Sequence, residues 1–275
     1  MADIFQAIDS ELGALFARMR AGFLDLGWRR GKLDGGEEWS FPVTGLPYVH
    51  LNADGTINGI RSLLHEMGHA FHDYRTLTQQ QLVWDTWYPD EFAECAAMTL
   101  ALLGGDFLSV ERGGCYAPSD AARLTGELVQ RYLEWPTWGA MVDAFQHWVY
   151  VEAPTDIRPA DLDAQWMELS QRFAPWIDWS GLEAEHAAGW QQLGLVFRMP
   201  FYNIAYDLAE LGAVQIWRNA QRDRPTTWRA FREALALGNT RSLPELFAAA
   251  GARLPFDREI LRDLANTVDQ IMRNK

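Results

Sequence analysis

The sequence predicts a mainly α-helical fold with one small β element, and three observations carry that expectation. Apolar residues recur at spacings of three and four through most of the 275 residues. Gly, Pro and Asp punctuate those runs, as in LLGGD, RGGCYAPSD, EAPTDIRP and RDRPTT. One stretch, residues 27–58, loses the helical period, is rich in Gly and Pro, and holds a single strand-like segment, PYVHLN, ahead of the turn signal NADG. With 48% hydrophobic residues and no linker-like stretch, residues 1–275 are expected to form one domain.

Taken in order, Ile4, Ile8, Leu12, Leu15, Phe16, Met19 and Phe23 predict one amphipathic helix over 3–25. Residues 59–74 predict a helix buried on most sides. Further helices are predicted over 90–104, 119–133, 137–151, 159–173, 181–193, 200–220, 226–236, 243–250 and 257–273.

Composition narrows the function classes. The net charge is −13 and Lys and Arg are scattered singly, which excludes a phosphate-backbone partner and an anionic membrane surface as expected ligands. No apolar run approaches the roughly 18–20 residues of a membrane span, and the acidic N-terminus MADIFQAIDSEL lacks a signal-peptide core. Two cysteines, Cys95 and Cys115, are too few for a disulfide framework, so a cytoplasmic location is expected. Some of the 13 tryptophans are expected to line a cleft rather than fill the core.

The stretch LLHEMGHAFHDY, residues 63–74, carries the chemistry. On a helix His65 and His69 share a face and can direct two imidazoles at one cation. Glu66 lies about 100° round the helix, placed to reach a water without occupying a coordination position, so HExxH supplies two nitrogen ligands and a general base. Isolated matches to so short a pattern are often ordinary exposed helix. Here Leu63, Leu64, Met67, Ala70 and Phe71 flank it, and buried imidazoles and carboxylates need partners. His72 lies two turns from His65, too far along one straight helix to join both histidines on one ion, and is expected to be a neighbour of the site. The third ligand is expected from PDEFAECAAMTLALL, where Glu91 and Glu94 lie one turn apart and spacing leaves both open.

RSLLHEMGHAFH followed by EFAECAAM resembles the catalytic region of the M3 metallopeptidases, the oligoendopeptidase F and thimet oligopeptidase group. The likeness continues upstream in RRGKLDGGEEWSF and YVHLNADGT. Downstream it runs through DAFQHWVY, IDWSGLE, WQQLGLVFRMPFYNIAYDLAELGAVQIW and ALALGNTRSLPELFAAAG. The resemblance implies a zincin-like helical catalytic domain of the gluzincin type, with a small β element before the HExxH helix. It implies that Zn2+ is held by His65, His69 and Glu94, that Glu66 is the base, and that short peptides are the substrates.

Several departures accompany the match. Leu195 stands where the family has a His that helps stabilise the oxyanion, Asn203 stands where a second adjacent Tyr is common, and Ala97 replaces a small hydroxyl residue. Tyr202 and Tyr206 remain as oxyanion donors, one turn apart if their segment is helical; as ordinary residues they would be core aromatics. The family's large N-terminal lobe is expected to be missing, its place taken by a partner chain or a second protomer. The primary expectation is therefore a zinc metallopeptidase. The alternatives are a zinc enzyme of the same fold acting on a small amide or a tailored peptide intermediate, and a non-catalytic binding module with structural zinc.

Overall fold

Twelve α-helices and a three-stranded sheet make up residues 1–273, the part of the chain described by the computed structural model; side chains are described to residue 267. The helices are α1 (Ala2–Ile8), α2 (Ser10–Met19), α3 (Ile57–Gln79), α4 (Asp90–Gly105), α5 (Pro118–His147), α6 (Pro159–Phe173), α7 (Glu183–Ala187), α8 (Gly194–Arg198), α9 (Asn203–Arg222), α10 (Arg224–Leu235), α11 (Leu243–Ala249) and α12 (Arg258–Arg273). The strands are β1 (Leu24–Gly27), β2 (Gly36–Phe41) and β3 (Leu46–Ala53). The mainly α fold with a small sheet ahead of the HExxH helix is as the sequence predicts. No described helix is long and apolar enough to cross a membrane.

Three local expectations are corrected. The helix predicted over 3–25 is two helices, because Asp9 adopts an extended backbone and its carboxylate accepts the amides of Glu11 and Leu12 at 2.8 and 3.2 Å, capping α2. The single strand becomes a sheet of order β1-β3-β2, with β1 parallel and β2 antiparallel to β3. The helices predicted over 119–133 and 137–151 are one helix, α5, which continues through Pro136 and ends in a wide turn over Trp148–Glu152.

β2 inverts the usual strand pattern. Gly36, Glu38 and Ser40 face inward, whereas Trp39 and Phe41 are exposed and pack on Tyr48 of β3 at 6.0 and 6.4 Å. The Gly-rich segment before β2 is tied down by Lys32, whose ammonium is almost wholly buried. It donates to the carbonyls of Asp25, Gly27 and Leu51 and pairs with Asp25 at 3.0 Å.

By its internal contacts the chain divides into two compact units, Met1–Leu133 with Ala209–Lys275, and Glu134–Leu208. In the first, α4 is buried nearly all round and packs along α3, with Leu64, Met67, Phe71, Phe92 and Leu100 in the core. In the second, Met141, Val142 and Phe145 of α5 meet Trp166 and Leu169 of α6, and Trp190 lies against Phe145.

Candidate metal centre

Helix α3 begins where the turn NADG predicts. Asp54 accepts the amide and hydroxyl of Thr56, and Thr56 in turn caps the amide of Asn58. Its far end is fixed by Thr76 and Gln80, which donate to the carbonyls of Leu235 and Ala236 at 2.8 and 2.6 Å. Between these anchors α3 meets α4 at Gly68 and Ala97. A Cβ on residue 68 would run into the Ala97 backbone, so the glycine inside HEMGH is a packing requirement. Ala97, noted above as a departure, is small enough to allow the approach.

That approach brings Glu94, one turn before Ala97, to the histidine pair. His65 Nε2 and His69 Nε2 lie 3.2 Å apart, and Glu94 Oε2 is 3.3 Å from the first and 3.7 Å from the second. One ligand atom from each of the three residues falls within 4.8 Å of the others, and the group contains Glu94 rather than Glu91. Two nitrogens bound tetrahedrally at about 2.05 Å are separated by about 3.3 Å, so the observed spacing fits a zinc-sized ion. The donor set, two imidazoles and one carboxylate, is that of a catalytic site with a position left open.

The electrostatics agree with a site built for a cation. Burial is the strongest single influence on His65 and would lower it, but the hydrogen bond it gives Glu94 and the negative charges of Glu94 and Glu66 together outweigh burial, and the pKa is raised. Burial and the neighbouring His65 push His69 down to about 4. Glu66, buried and facing Glu94 and Glu37, is raised to about 7 despite the opposing influence of His65. The Glu66 carboxylate makes no hydrogen bond among the described residues; it lies instead against β2, where a Cβ on Gly36 would come within 2.7 Å of Oε1.

His72 is fully buried and outside the ligand group. Its ring stacks on Tyr88 at 3.6 Å and meets Phe92 edge-on at 5.5 Å, and burial holds its pKa well below the usual value. One turn along the α3 surface from His69, Asp73 accepts the Tyr88 hydroxyl and sits beside Glu38 and Ser40. Burial and Asp73 push Glu38 up to about 9. Sequence reasoning missed this acid cluster. The signal available was the strand EEWSF, whose aromatic positions point outward and whose acids therefore point in.

The remaining predicted residues belong to the second unit. Tyr202 precedes the first turn of α9 and Tyr206 lies one turn on, their rings 5.4 Å apart and nearly perpendicular. Leu195 lies in α8, half-buried and without a donor to offer, and Asn203 opens α9. Two features flank the tyrosines. Phe201 has φ +65°, the one positive φ at a non-glycine among the described residues, and its N–H donates to the buried Gln146 Oε1 at 2.7 Å. Asp207 is 3% exposed with no hydrogen-bond partner for either carboxylate oxygen, and it packs against Gly139, where a Cβ would overlap it. Burial, then Asp143, push Asp207 up to about 8.

Comparison with known proteins sets this geometry in context. The sequence pattern of peptidase family M3 matches residues 5–266. A solved structure described as an oligoendopeptidase F superposes with a TM-score of 0.87 at 26% identity, covering 98% of this chain and 46% of that one. PZ peptidase A, solved with an inhibitor, gives 0.89 at 23% identity over 100% of this chain and 48% of its own. A protein described as an oligoendopeptidase F from Bacillus anthracis str. Ames gives 0.82 at 22%, over 100% and 45%. The latter two show a shared fold. The chain spans about half the length of these structures, and no curated protein matches it. A family pattern matched over residues 5–266 of 275 assigns the chain to peptidase family M3.

Proposed function

We propose that this chain is the catalytic region of a zinc metallopeptidase that hydrolyses short peptides, with one catalytic domain over residues 1–275. The observation that carries the reading is the convergence of His65 Nε2, His69 Nε2 and Glu94 Oε2, with Glu66 next to the first ligand and free of competing hydrogen bonds. His65, His69 and Glu94 would hold the ion. Zinc supplies Lewis acidity toward a peptide carbonyl and toward water. Glu66 acts as general base, accepting the proton of the attacking water and passing it to the leaving amine. Tyr202 and Tyr206 offer phenolic O–H donors to the oxyanion that forms as water adds to the carbonyl. The substrate is a short peptide, nucleic acid and membranes are not partners, and the chain works in the cytoplasm.

A second reading is favoured by one observation. Leu195 offers no hydrogen bond where the family has a histidine, and loss of one oxyanion donor commonly costs about 10²–10³ in rate. An easier bond, in a small amide or a tailored peptide intermediate, would tolerate that loss.

The test is hydrolysis of internally quenched short peptides by zinc-loaded protein. Cleavage should be abolished by chelator, and Glu66→Gln should lower kcat by about 10²–10⁴ while metal content stays at that of the parent. A Glu66→Gln protein that cuts at the parent rate would sink the assignment of the base. Cleavage of small amides but of no peptide would favour the second reading.

A further inference from the structure

We propose that Gln146 is a positioning residue for the Tyr202–Tyr206 pair, acting through a backbone latch at Phe201. The inference rests on the reading that these tyrosines donate to the oxyanion. Phe201 is a bulky residue held at φ +65°, a conformation that L side chains avoid and that persists only where the surroundings over-determine it. Three contacts do so, all within the second unit. Its N–H donates to Gln146 Oε1 at 2.7 Å, and its ring packs on His147 at 5.0 Å and on Tyr150 at 5.4 Å.

The latch controls the residue that follows it. Tyr202 donates its N–H to the Met199 carbonyl and accepts the amide of Ala205, so it stands at the boundary where α9 begins. The φ of Phe201 therefore sets the direction in which Tyr202 and the first turn of α9 leave the PFY segment. Tyr206, one turn on, follows the same direction.

Gln146 itself is chemically out of place unless it serves this bond. It is 1% exposed, and its Nε2 has no hydrogen-bond partner. An unmade buried donor is destabilising, and an apolar side chain of the same length would remove it. What an apolar side chain cannot supply is the acceptor that Phe201 uses.

The test uses the zinc-loaded full chain, internally quenched short peptides and four variants. Gln146→Met keeps the length and removes the acceptor. We expect kcat to fall about tenfold to a hundredfold, the effect of misplacing a catalytic group by about 1 Å, with KM changed less than about threefold and metal content unaltered. The Phe201 amide should exchange with solvent at least about tenfold faster, the signature of a lost hydrogen bond independent of activity. Adding Phe201→Gly to Gln146→Met should recover part of kcat, because glycine adopts positive φ without the latch. A merely structural defect would be deepened by that second truncation.

Equal kcat in Gln146→Met and the parent overturns the proposal, as does a double variant slower than the single one. Tyr202→Phe and Tyr206→Phe separate the two layers. If either lowers kcat while Gln146→Met does not, the latch alone fails. If neither lowers it, or the parent cuts no peptide, the oxyanion reading fails and the positioning role goes with it.

Discussion

Asp207→Asn should stabilise the protein, and by an amount that depends on pH. Asp207 is 3% exposed, packs against Gly139 of α5 with neither carboxylate oxygen hydrogen-bonded, and faces the carboxylate of Asp143, with His147 one turn beyond Asp143 on the same helix. Burial, then Asp143, raise its pKa from 3.8 to about 8. Well below pH 3.8 the residue is protonated in both folded and unfolded chains and costs nothing in this respect. As pH rises the unfolded chain ionises first, so stability falls until about pH 8 and then levels off. Each pH unit in that window removes about 1.4 kcal/mol, so at pH 7, about 3 units above the unfolded value, the penalty is on the order of 4 kcal/mol. Asparagine keeps the shape and cannot ionise. Urea unfolding followed by tryptophan fluorescence should give parent and variant similar midpoints at pH 4 and a variant advantage that grows toward pH 8. An advantage independent of pH, or a loss at pH 7, would refute the reasoning.

Other outcomes are expected. Gly68→Ala forces α3 and α4 apart at Ala97, and should destabilise the fold by about 1–3 kcal/mol and lower bound zinc on dialysis. Glu94→Gln weakens one of the three proposed ligands; competition against a chromogenic chelator should show weakened zinc affinity, whereas Glu91→Gln should leave it unchanged. Asp9→Ala removes the α2 cap and leaves the Trp228 indole, which donates to Asp9 at 2.7 Å, and Arg232 without that acceptor; a loss of about 2–4 kcal/mol is expected by thermal melting.

What could be seen in the sequence follows the range of each interaction. α6 appears within the span its apolar period predicts, and the His65–His69 pair is visible because both imidazoles belong to one turn of one helix. Glu94 is different. Spacing along its own helix could not separate it from Glu91; the choice came from the family resemblance, and in the structure it reflects where α4 crosses α3 at Gly68. The helix over 3–25 fails at Asp9 because a cap outweighs an unbroken apolar stripe. β1 was hidden because four residues hold too little alternation to distinguish from a helix end. The division expected between 133 and 137 is one that α5 does not make, since the missing N–H of Pro136 is tolerated inside a 30-residue helix. The pairs Gly36–Glu66, Gln146–Phe201 and Gly139–Asp207 join residues 30 to 68 positions apart, and no local pattern announces them.

The bare backbone at Gly36 has a further consequence for Glu66. Fixing a glutamate side chain costs up to about 2 kcal/mol of rotamer entropy, and proteins usually offset it with hydrogen bonds to the carboxylate. Such bonds stabilise the anion and weaken its hold on a proton. Here β2 restricts the side chain by shape alone, through a residue with nothing beyond its Cα. In the role proposed for it, Glu66 is thereby ordered in advance without surrendering the lone pairs on which its basicity depends.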